Sequence, residues 1–296
     1  MLDEHGKAWS YYAKWAYLLL VVFVLLLPVF YIIYISFNEH GFGAAIYEFT
    51  VDWYRVVLSD RMLVASLEWT AYLALGAVAS AVPLGLLAAK FCKSSRNKVP
   101  FVTLMLMPLF VPADIMGSSL LVFFKNLNGF FEWLSDSLGV TWFYGWFELG
   151  FLTALIGQIV YTLPYAFIVI LITMSRYRVQ QTEAARGCGA TAWQAFWDVE
   201  FPQIRAGVFS ACAFVTILSF NEATRTALLK GGFDTFQNVL VSQMLNIGMS
   251  GESYAMAGIM SVIPMVIIGS ILIITLIRSD RLERVARAKA EPVMSN

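Results

Sequence analysis

The chain has 296 residues, of which 59% are hydrophobic and only 14% are charged. With a mean hydropathy of +0.70, this composition excludes an ordinary soluble domain and indicates a membrane protein. The formal net charge is zero, so any functional signal lies in how charges are distributed along the chain, and we expect no nucleic-acid partner.

Six apolar segments are each long enough to cross a lipid bilayer as a helix. At about 1.5 Å per residue, roughly 20 residues cross the ~30 Å hydrocarbon core. The first segment carries no charge and no small-residue cleavage site follows it, so we interpret it as a retained helix rather than a signal peptide. An all-α membrane protein is therefore expected, with one transmembrane domain at 15–278 between terminal segments 1–14 and 279–296. The predicted spans are residues 15–37, 65–89, 99–124, 149–175, 206–229 and 254–277.

The basic residues are concentrated on one side of this topology. Fifteen of the 20 Lys and Arg residues precede the first span, follow the second, flank the loop after the fourth or end the chain. Because basic residues are retained in the cytoplasm, this distribution predicts that both termini and the loop at about 177–203 are cytoplasmic. The five basic residues of the opposite half are Arg55, Arg61, Lys125, Arg225 and Lys230.

The loop at 177–203, which we term the docking loop, carries the most specific motif. Its Glu-Ala-Ala sequence favours a short helix, and Gly189 permits a sharp turn with positive φ. Residues 190–198 can form a second short helix, which Pro202 would end just before the fifth span. Small Ala side chains would let such a knob enter a groove of another protein; an ordinary helical loop is the alternative. The motif consists of Glu183, Ala184, Ala185, Gly189, Val199, Phe201 and Pro202.

This motif resembles the Glu-Ala-Ala loop of the membrane subunits of ABC importers, in which a Gly and then Ile-x-Leu-Pro follow at these distances. Val199 and Phe201 are apolar replacements for the Ile and Leu, and the other five residues match. The resemblance implies the architecture of a type I ABC importer permease, with six transmembrane helices. It also implies that the docking loop forms the cytoplasmic coupling helix, which fits a cleft of the ATPase.

The resemblance further implies the partners of this chain. No segment matches G-x-x-x-x-G-K-[ST], so ATP and Mg²⁺ would be bound by two separate ATP-binding cassette subunits. A second permease subunit, identical or different, and an extracytoplasmic solute-binding protein would complete the complex in the lipid bilayer of the bacterial inner membrane.

No catalytic constellation is found, and three scattered cysteines with two histidines support no metal site. An ion-coupled secondary transporter without an ATPase is the alternative function.

The outward loop between the third and fourth spans is rich in aromatic residues. Trp and Tyr prefer the depth of the membrane interface, so an aromatic belt is one interpretation. A contact surface for the extracytoplasmic solute-binding protein is the other, and the two are compatible. The residues assigned to this contact are Phe130, Trp133, Trp142 and Trp146.

Polar residues within predicted spans are costly in hydrocarbon and commonly face a cavity or a partner. Asp114 follows Pro112 in the third span, where the proline removes a backbone donor and can open the helix. Glu222 and Arg225 are three residues apart in the fifth span, so they either form an intrahelical ion pair or line a passage. The residues assigned to a translocation pathway are Asp114, Gln158, Tyr161, Thr162, Asn221, Glu222 and Arg225.

Weaker motifs resemble the second permease of polyamine-type importers. They comprise Ser36-Phe37-Asn38, Trp53-Tyr54, the sequence Pro-Ala-Asp-Ile ending at Ile115, and Phe220-Asn221-Glu222. That family commonly has Pro-Asp-Ile and an Asp-Asp pair at the last two sites, so this chain has lost one carboxylate and has Arg225 near another. A polyamine favours unpaired carboxylates, because a buried charge without a partner is costly. The sequence therefore leaves two solute classes open: a polyamine, or a related zwitterionic or mixed-charge compound.

Overall fold

The computed structural model describes the backbone of residues 2–41, 43, 46–142 and 144–290, and side chains within residues 11–270 and at Ile273. Regular structure in this part of the chain is helical, with one isolated antiparallel bridge between Asn38 and Phe49. In the predicted terminal segments, 1–14 and 279–296, the side chains of residues 1–10 and 279–296 lie outside the described residues.

The helices follow one another with short connections. Eight of them lie wholly or partly in the membrane-crossing segments: α1 (Leu2–Ser36), α3 (Arg61–Ser94), α4 (Lys98–Leu106), α5 (Ala113–Leu138), α6 (Phe151–Ser175), α8 (Ala192–Gln194), α9 (Phe201–Phe220) and α12 (Gly251–Ala290). The remaining helices are α2 (Asp52–Ser59), α7 (Val179–Gly187), α10 (Thr224–Leu229) and α11 (Phe236–Asn246).

Five described helical segments are long and apolar enough to cross a membrane. They lie at Tyr11–Ser36, Arg61–Ser94, Phe151–Ser175, Ala192–Phe220 and Gly251–Ser270. A sixth crossing is obtained when the bent pair Lys98–Phe110 and Ala113–Leu138 is counted as one span. The predicted all-helical fold with six spans is confirmed in this sense.

The third predicted span is not one continuous helix. After α4 and a 3₁₀ turn (Met107–Phe110), the chain breaks and α5 departs at 99°. Val111 is extended, with ψ of 123°, because the residue before a proline is driven out of the helical region. From Ala113 the helix then continues to Leu138, ending at Gly139 with a φ of 65°. The predicted single segment 99–124 was therefore wrong in both its continuity and its end.

The fifth predicted span begins earlier and ends earlier than the sequence indicated. Thr191 caps α8 by accepting a hydrogen bond from the Gln194 N–H at 3.3 Å, and a π-helical turn (Ala195–Glu200) leads directly into α9. Pro202 lies in the first turn of α9, where a missing backbone donor is tolerated, so it does not end the preceding helix as predicted. The helix stops at Phe220, and the predicted stretch 206–229 is interrupted before α10.

The chain divides into two compact units. The first comprises Met1–Val64 with Ser242–Val262. Within it the Tyr54 hydroxyl hydrogen-bonds the Ser36 hydroxyl at 2.6 Å, and the Tyr54 ring stacks on Phe37.

The second unit comprises Ala65–Val241 with Ile263–Asn296. Its core is formed by α3, α6 and α9, and small residues such as Ala77, Ala81, Ala166 and Ala211 are completely buried there. Small side chains let membrane helices approach closely, which brings α3 and α9 against the same helix, α6.

Candidate functional site

The docking loop has the turn that its sequence predicts. Helix α7 contains the Glu-Ala-Ala sequence, and Gly189 follows it with a φ of +92°. Glu183, Ala184 and Gly189 are exposed, and no atom lies within 4 Å of the position that a Cβ of Gly189 would occupy. A partner protein can therefore reach this face of the loop without displacing other parts of the chain.

The later residues of the motif lie at the base of the loop instead. Phe201 is partly buried and its ring lies 4.8 Å from that of Trp197, while Val199 is half-buried. Trp193 is 70% exposed and lies edge-on to Trp197. Val199 and Phe201 are thus packing residues, whereas Glu183 and Ala184 provide the accessible surface.

Two lysines near the end of α3 contact both ends of the docking loop. Lys93 Nζ donates hydrogen bonds of 2.6 Å to the carbonyl oxygens of Met174 and Tyr177, where α6 ends. Lys90 Nζ lies 3.0 Å from Glu200 Oε2, at the end of the π-helical turn. From the sequence, these lysines were used only to predict the membrane orientation. Their spacing of three positions at the end of a predicted helix could have indicated that both side chains lie on one face.

Tyr177 adds a further contact at the start of the docking loop. Its hydroxyl bonds the hydroxyl of Thr182 in α7, and its ring lies 4.6 Å from Lys93 Nζ. Burial raises the pKa of the Tyr177 hydroxyl above its ordinary value, and the nearby Glu200 carboxylate acts in the same direction. The hydroxyl therefore stays protonated and able to donate at neutral pH.

Gln158 is the centre of a buried polar cluster between α6, α9 and α10. Its Oε1 accepts a hydrogen bond from the Ser219 hydroxyl, and its Nε2 donates to Thr226 Oγ1 at 3.3 Å. The Thr162 hydroxyl donates to the Gln158 carbonyl at 2.8 Å. Gln158 and Thr162 are 1% and 0% exposed, so neither lines an open surface. The Gln158 side chain connects α6 to α9 and α10, whereas Thr162 bonds within α6.

Glu222 and Arg225 form a buried ion pair beside this cluster. The carboxylate also accepts a hydrogen bond of 2.8 Å from the Arg225 backbone N–H, which stabilises the first turn of α10. The Arg225 guanidinium carbon lies 3.7 Å from the centre of the Tyr161 ring, a cation–π contact. Arg225 Nε is buried and lacks a hydrogen-bond partner.

The structure brings five of the predicted pathway residues into one region: Gln158, Tyr161, Thr162, Glu222 and Arg225. A Cβ on Gly117 would lie 3.3 Å from the Arg225 Cα, which shows how closely α5 approaches α10. Asp114 and Asn221 are exposed instead, and the Asn221 amide donates to the carbonyl of Ile217 in its own helix. No cluster of three metal-ligating side chains occurs among the described residues.

The four aromatic residues assigned to an outer contact are all exposed. Phe130 and Trp133 lie on the second half of α5, at 53% and 63% exposure, and Trp142 reaches 81%. Trp146 is 55% exposed and its ring lies 6.5 Å from that of Phe131. The loop that follows α5 is secured by a hydrogen bond from the Tyr144 hydroxyl to Asp136, which raises the pKa of Tyr144.

Comparison with known families gives a match that covers most of the chain. Residues 81–283 match the model of the family described as "Binding-protein-dependent transport system inner membrane component". This range includes the docking loop, the buried polar cluster and the aromatic outer loop.

Individual relatives and solved structures agree with this match. The chain is 24% identical over 246 residues to the spermidine/putrescine transport system permease protein of Escherichia coli K12, covering 82% of this chain and 86% of the relative. It is 26% identical over 218 residues to the sulfate transport system permease protein of Synechocystis sp., covering 71% of each. Its fold is similar to that of a chain in the crystal structure of a bacterial alginate ABC transporter in complex with alginate pentasaccharide-bound periplasmic protein. That similarity has a TM-score of 0.65 and 16% identity, and covers 95% of this chain and 98% of the other.

Proposed function

This chain belongs to the family of binding-protein-dependent transport system inner membrane components, and we propose that it is powered through its docking loop by an ATPase subunit in trans. It is a multi-pass permease component of an ABC importer. We place the docking loop and both termini in the cytoplasm, on the basis of the basic-residue distribution.

The observation that carries the docking proposal is the exposed face of α7 beside a glycine turn. Glu183 and Ala184 project from a short helix, and Gly189 has a φ that residues with a Cβ rarely adopt. A compact helical projection with small side chains suits a groove of a partner protein. ATP and Mg²⁺ would be bound by that partner.

The complete importer that we propose contains three further kinds of subunit. A second permease subunit pairs with this chain, two ATP-binding cassette subunits dock from the cytoplasm, and an extracytoplasmic solute-binding protein delivers the solute to the outer aromatic surface. Phe130, Trp133, Trp142 and Trp146 suit that last role, because exposed aromatic side chains are favoured at protein interfaces as well as at membrane interfaces.

The solute that we propose is a polyamine or a related cationic or zwitterionic compound. The relatives named above are described as carriers of spermidine and putrescine in one case and of sulfate in another, so family membership alone leaves the charge of the solute open. In this chain Arg225 neutralises Glu222, whereas no ion pair of Asp114 is found among the described residues. Among the residues assigned to the pathway, Asp114 thus provides one accessible, unneutralised carboxylate. A single carboxylate suits an amine-bearing solute that carries fewer charges than a long polyamine.

Purification of the tagged chain from its native membrane tests the proposal. We expect an ATP-binding cassette subunit to co-purify and to be lost, or to lose coupling to transport, in Glu183→Lys, because charge reversal opposes the original contact. Glu148→Lys is the matched control, since Glu148 is also exposed but lies before α6, outside the docking loop. Mass spectrometry of the ligand retained by the co-purifying binding protein identifies the solute.

Two results would contradict the proposal. One is purification of the intact wild-type chain without any ATPase partner, together with uptake that persists when ATP is depleted. The other is unaltered ATPase binding and uptake in Glu183→Lys.

A further inference from the structure

The two ends of the docking loop are held by a single face of α3. Lys90 and Lys93 are three residues apart, so their side chains emerge on the same side of the helix. Lys93 contacts the residues where the chain leaves α6, and Lys90 contacts the residue where it enters α9. We propose that Lys90 and Lys93 form a two-point brace that positions the docking loop and transmits its movement to the spanning helices.

The Lys93 contact stabilises the entry to the docking loop. The last carbonyl groups of a helix have no partner within that helix, and a cation there is favoured by the helix dipole. Lys93 Nζ supplies this cation, bonding the carbonyl oxygens of Met174 and Tyr177 at 2.6 Å each. Because Tyr177 also bonds Thr182 in α7, displacement of α7 acts directly on the Lys93 contact.

The Lys90 contact stabilises the exit from the docking loop. Glu200 is only 6% exposed, and its carboxylate lies 3.0 Å from Lys90 Nζ. The same ammonium group lies 4.3 Å from the centre of the Phe196 ring, in the π-helical turn. This turn interrupts the regular helix between α8 and α9, so without a lateral contact it is the point where the loop would bend most easily.

The position of the brace explains why it would act in coupling rather than in stability alone. A loop joined to the membrane helices only through its own backbone can absorb a displacement by bending. With both ends joined to α3, a displacement of α7 instead moves α3, α6 and α9 as a connected set. This inference rests on the proposed function, because it requires an ATPase partner to move the docking loop.

The test uses the complete importer, purified with its native ATPase and solute-binding protein and reconstituted in lipid vesicles. The measurement is the stimulation of ATP hydrolysis by that binding protein, used as isolated with its own ligand, relative to basal hydrolysis. A coupling free energy in the usual range corresponds to at least about a fivefold effect. We expect Lys93→Met to lower the stimulation by this factor while basal hydrolysis and the amount of assembled complex are retained. Lys93→Arg keeps the cation and its donors, and should preserve most of the stimulation.

Lys90 requires a paired substitution, because Lys90→Met alone leaves a buried carboxylate without its cation. The double variant Lys90→Met with Glu200→Gln removes both charges and is expected to reduce stimulation in the same way. Lys98→Met is the matched control: Lys98 is exposed at the start of α4, close to the brace in sequence, and its replacement should leave stimulation unchanged.

The outcomes separate the brace from the proposed function. If the wild-type complex shows stimulation and Lys93→Met and the double variant show the same stimulation, the brace is overturned and the proposed function stands. Loss of stimulation in these variants and in Lys98→Met alike would also overturn it, because the effect would then follow from charge alone. If no ATPase accompanies the wild-type chain, the proposed function is contradicted, and the brace, which rests on it, is overturned with it.

Discussion

The ion pair between Glu222 and Arg225 stabilises the fold only with the carboxylate at position 222 and the guanidinium at position 225. Both residues are buried, with 6% and 5% exposure, and the carboxylate also accepts the Arg225 backbone N–H. An arginine at position 222 could not accept that hydrogen bond, because guanidinium groups have no acceptor. The pair is therefore asymmetric, and exchanging the two residues would not reproduce it even though the total charge is conserved.

Removal of one charge from this pair should be much more harmful than removal of both. Arg225→Met leaves a buried carboxylate unpaired, which typically costs about 3–5 kcal/mol. We expect a large fall in the amount of protein in the membrane and in its thermal unfolding temperature in detergent. The double variant Glu222→Gln with Arg225→Met keeps an acceptor for the backbone N–H and should recover both quantities.

Uptake by the double variant decides whether the pair also lines the translocation pathway. If uptake remains low although the protein level is restored, the charges act in transport. If uptake recovers with the protein level, the pair is structural only. A double variant that is no more stable than Arg225→Met would contradict the buried-pair interpretation itself.

At the level of elements, the docking loop consists of an accessible face formed by a local turn and a base held by aromatic packing. Its accessible face depends on a turn in which Gly189 has a φ of +92°, while its base is packed through Phe196, Trp197 and Phe201. A residue with a Cβ at such a φ costs about 1–2 kcal/mol. The turn therefore depends on local backbone geometry, and the base depends on tertiary packing.

Gly189→Val should reorient α7 and weaken ATPase binding or coupling without preventing membrane insertion. A β-branched side chain opposes positive φ even though no neighbouring atom occupies the space. The measurement is the ratio of co-purified ATPase to permease, together with uptake. Gly187→Val is the matched control, because Gly187 has open space around its Cβ position but no positive φ. Equal effects of the two substitutions would show that bulk, not backbone conformation, is responsible.

At the scale of the whole molecule, the orientation of the chain in the membrane is inferred from the distribution of its basic residues. The positive-inside rule assigns fifteen of the 20 basic residues to the cytoplasmic side. The docking loop lies on that side in the same assignment, although its motif was identified without reference to charge. These two independent signals agree, and their agreement is open to a direct test.

Thiol labelling of intact cells should confirm the orientation. In a background lacking the native cysteines, Ser59→Cys and Ser137→Cys should react with an impermeant reagent from outside, because both positions are exposed on the predicted outer side. Cys188 is exposed in the docking loop, so a variant retaining it alone should react only after the cells are permeabilised. Reaction of Cys188 in intact cells, with protection of the other two positions, would invert the topology.

The sequence by itself determined the properties that depend on local composition. Hydropathy located the apolar segments, because about 20 apolar residues are needed wherever a helix crosses a bilayer. The Glu-Ala-Ala motif with Gly189 predicted a short helix and a positive-φ turn, since both depend on neighbouring residues alone. The sequence also identified Glu222 and Arg225 as candidate partners from their spacing of three positions, although Glu222 lies in the turn before α10 and the pair is not within one helix as predicted.

Only the tertiary structure decided which distant residues meet. Lys93 bonds carbonyl groups more than 80 residues away, and Gln158 lies between Ser219 and Thr226, because α3 and α9 pack closely on α6. Likewise, two prolines that each lie at the start of a helix behave differently: Val111 before Pro112 is extended and the chain breaks there, whereas Phe201 before Pro202 is helical and the helix continues. A proline interrupts a helix according to whether its preceding residue leaves the helical region, and that depends on the packing of the whole unit rather than on the proline alone.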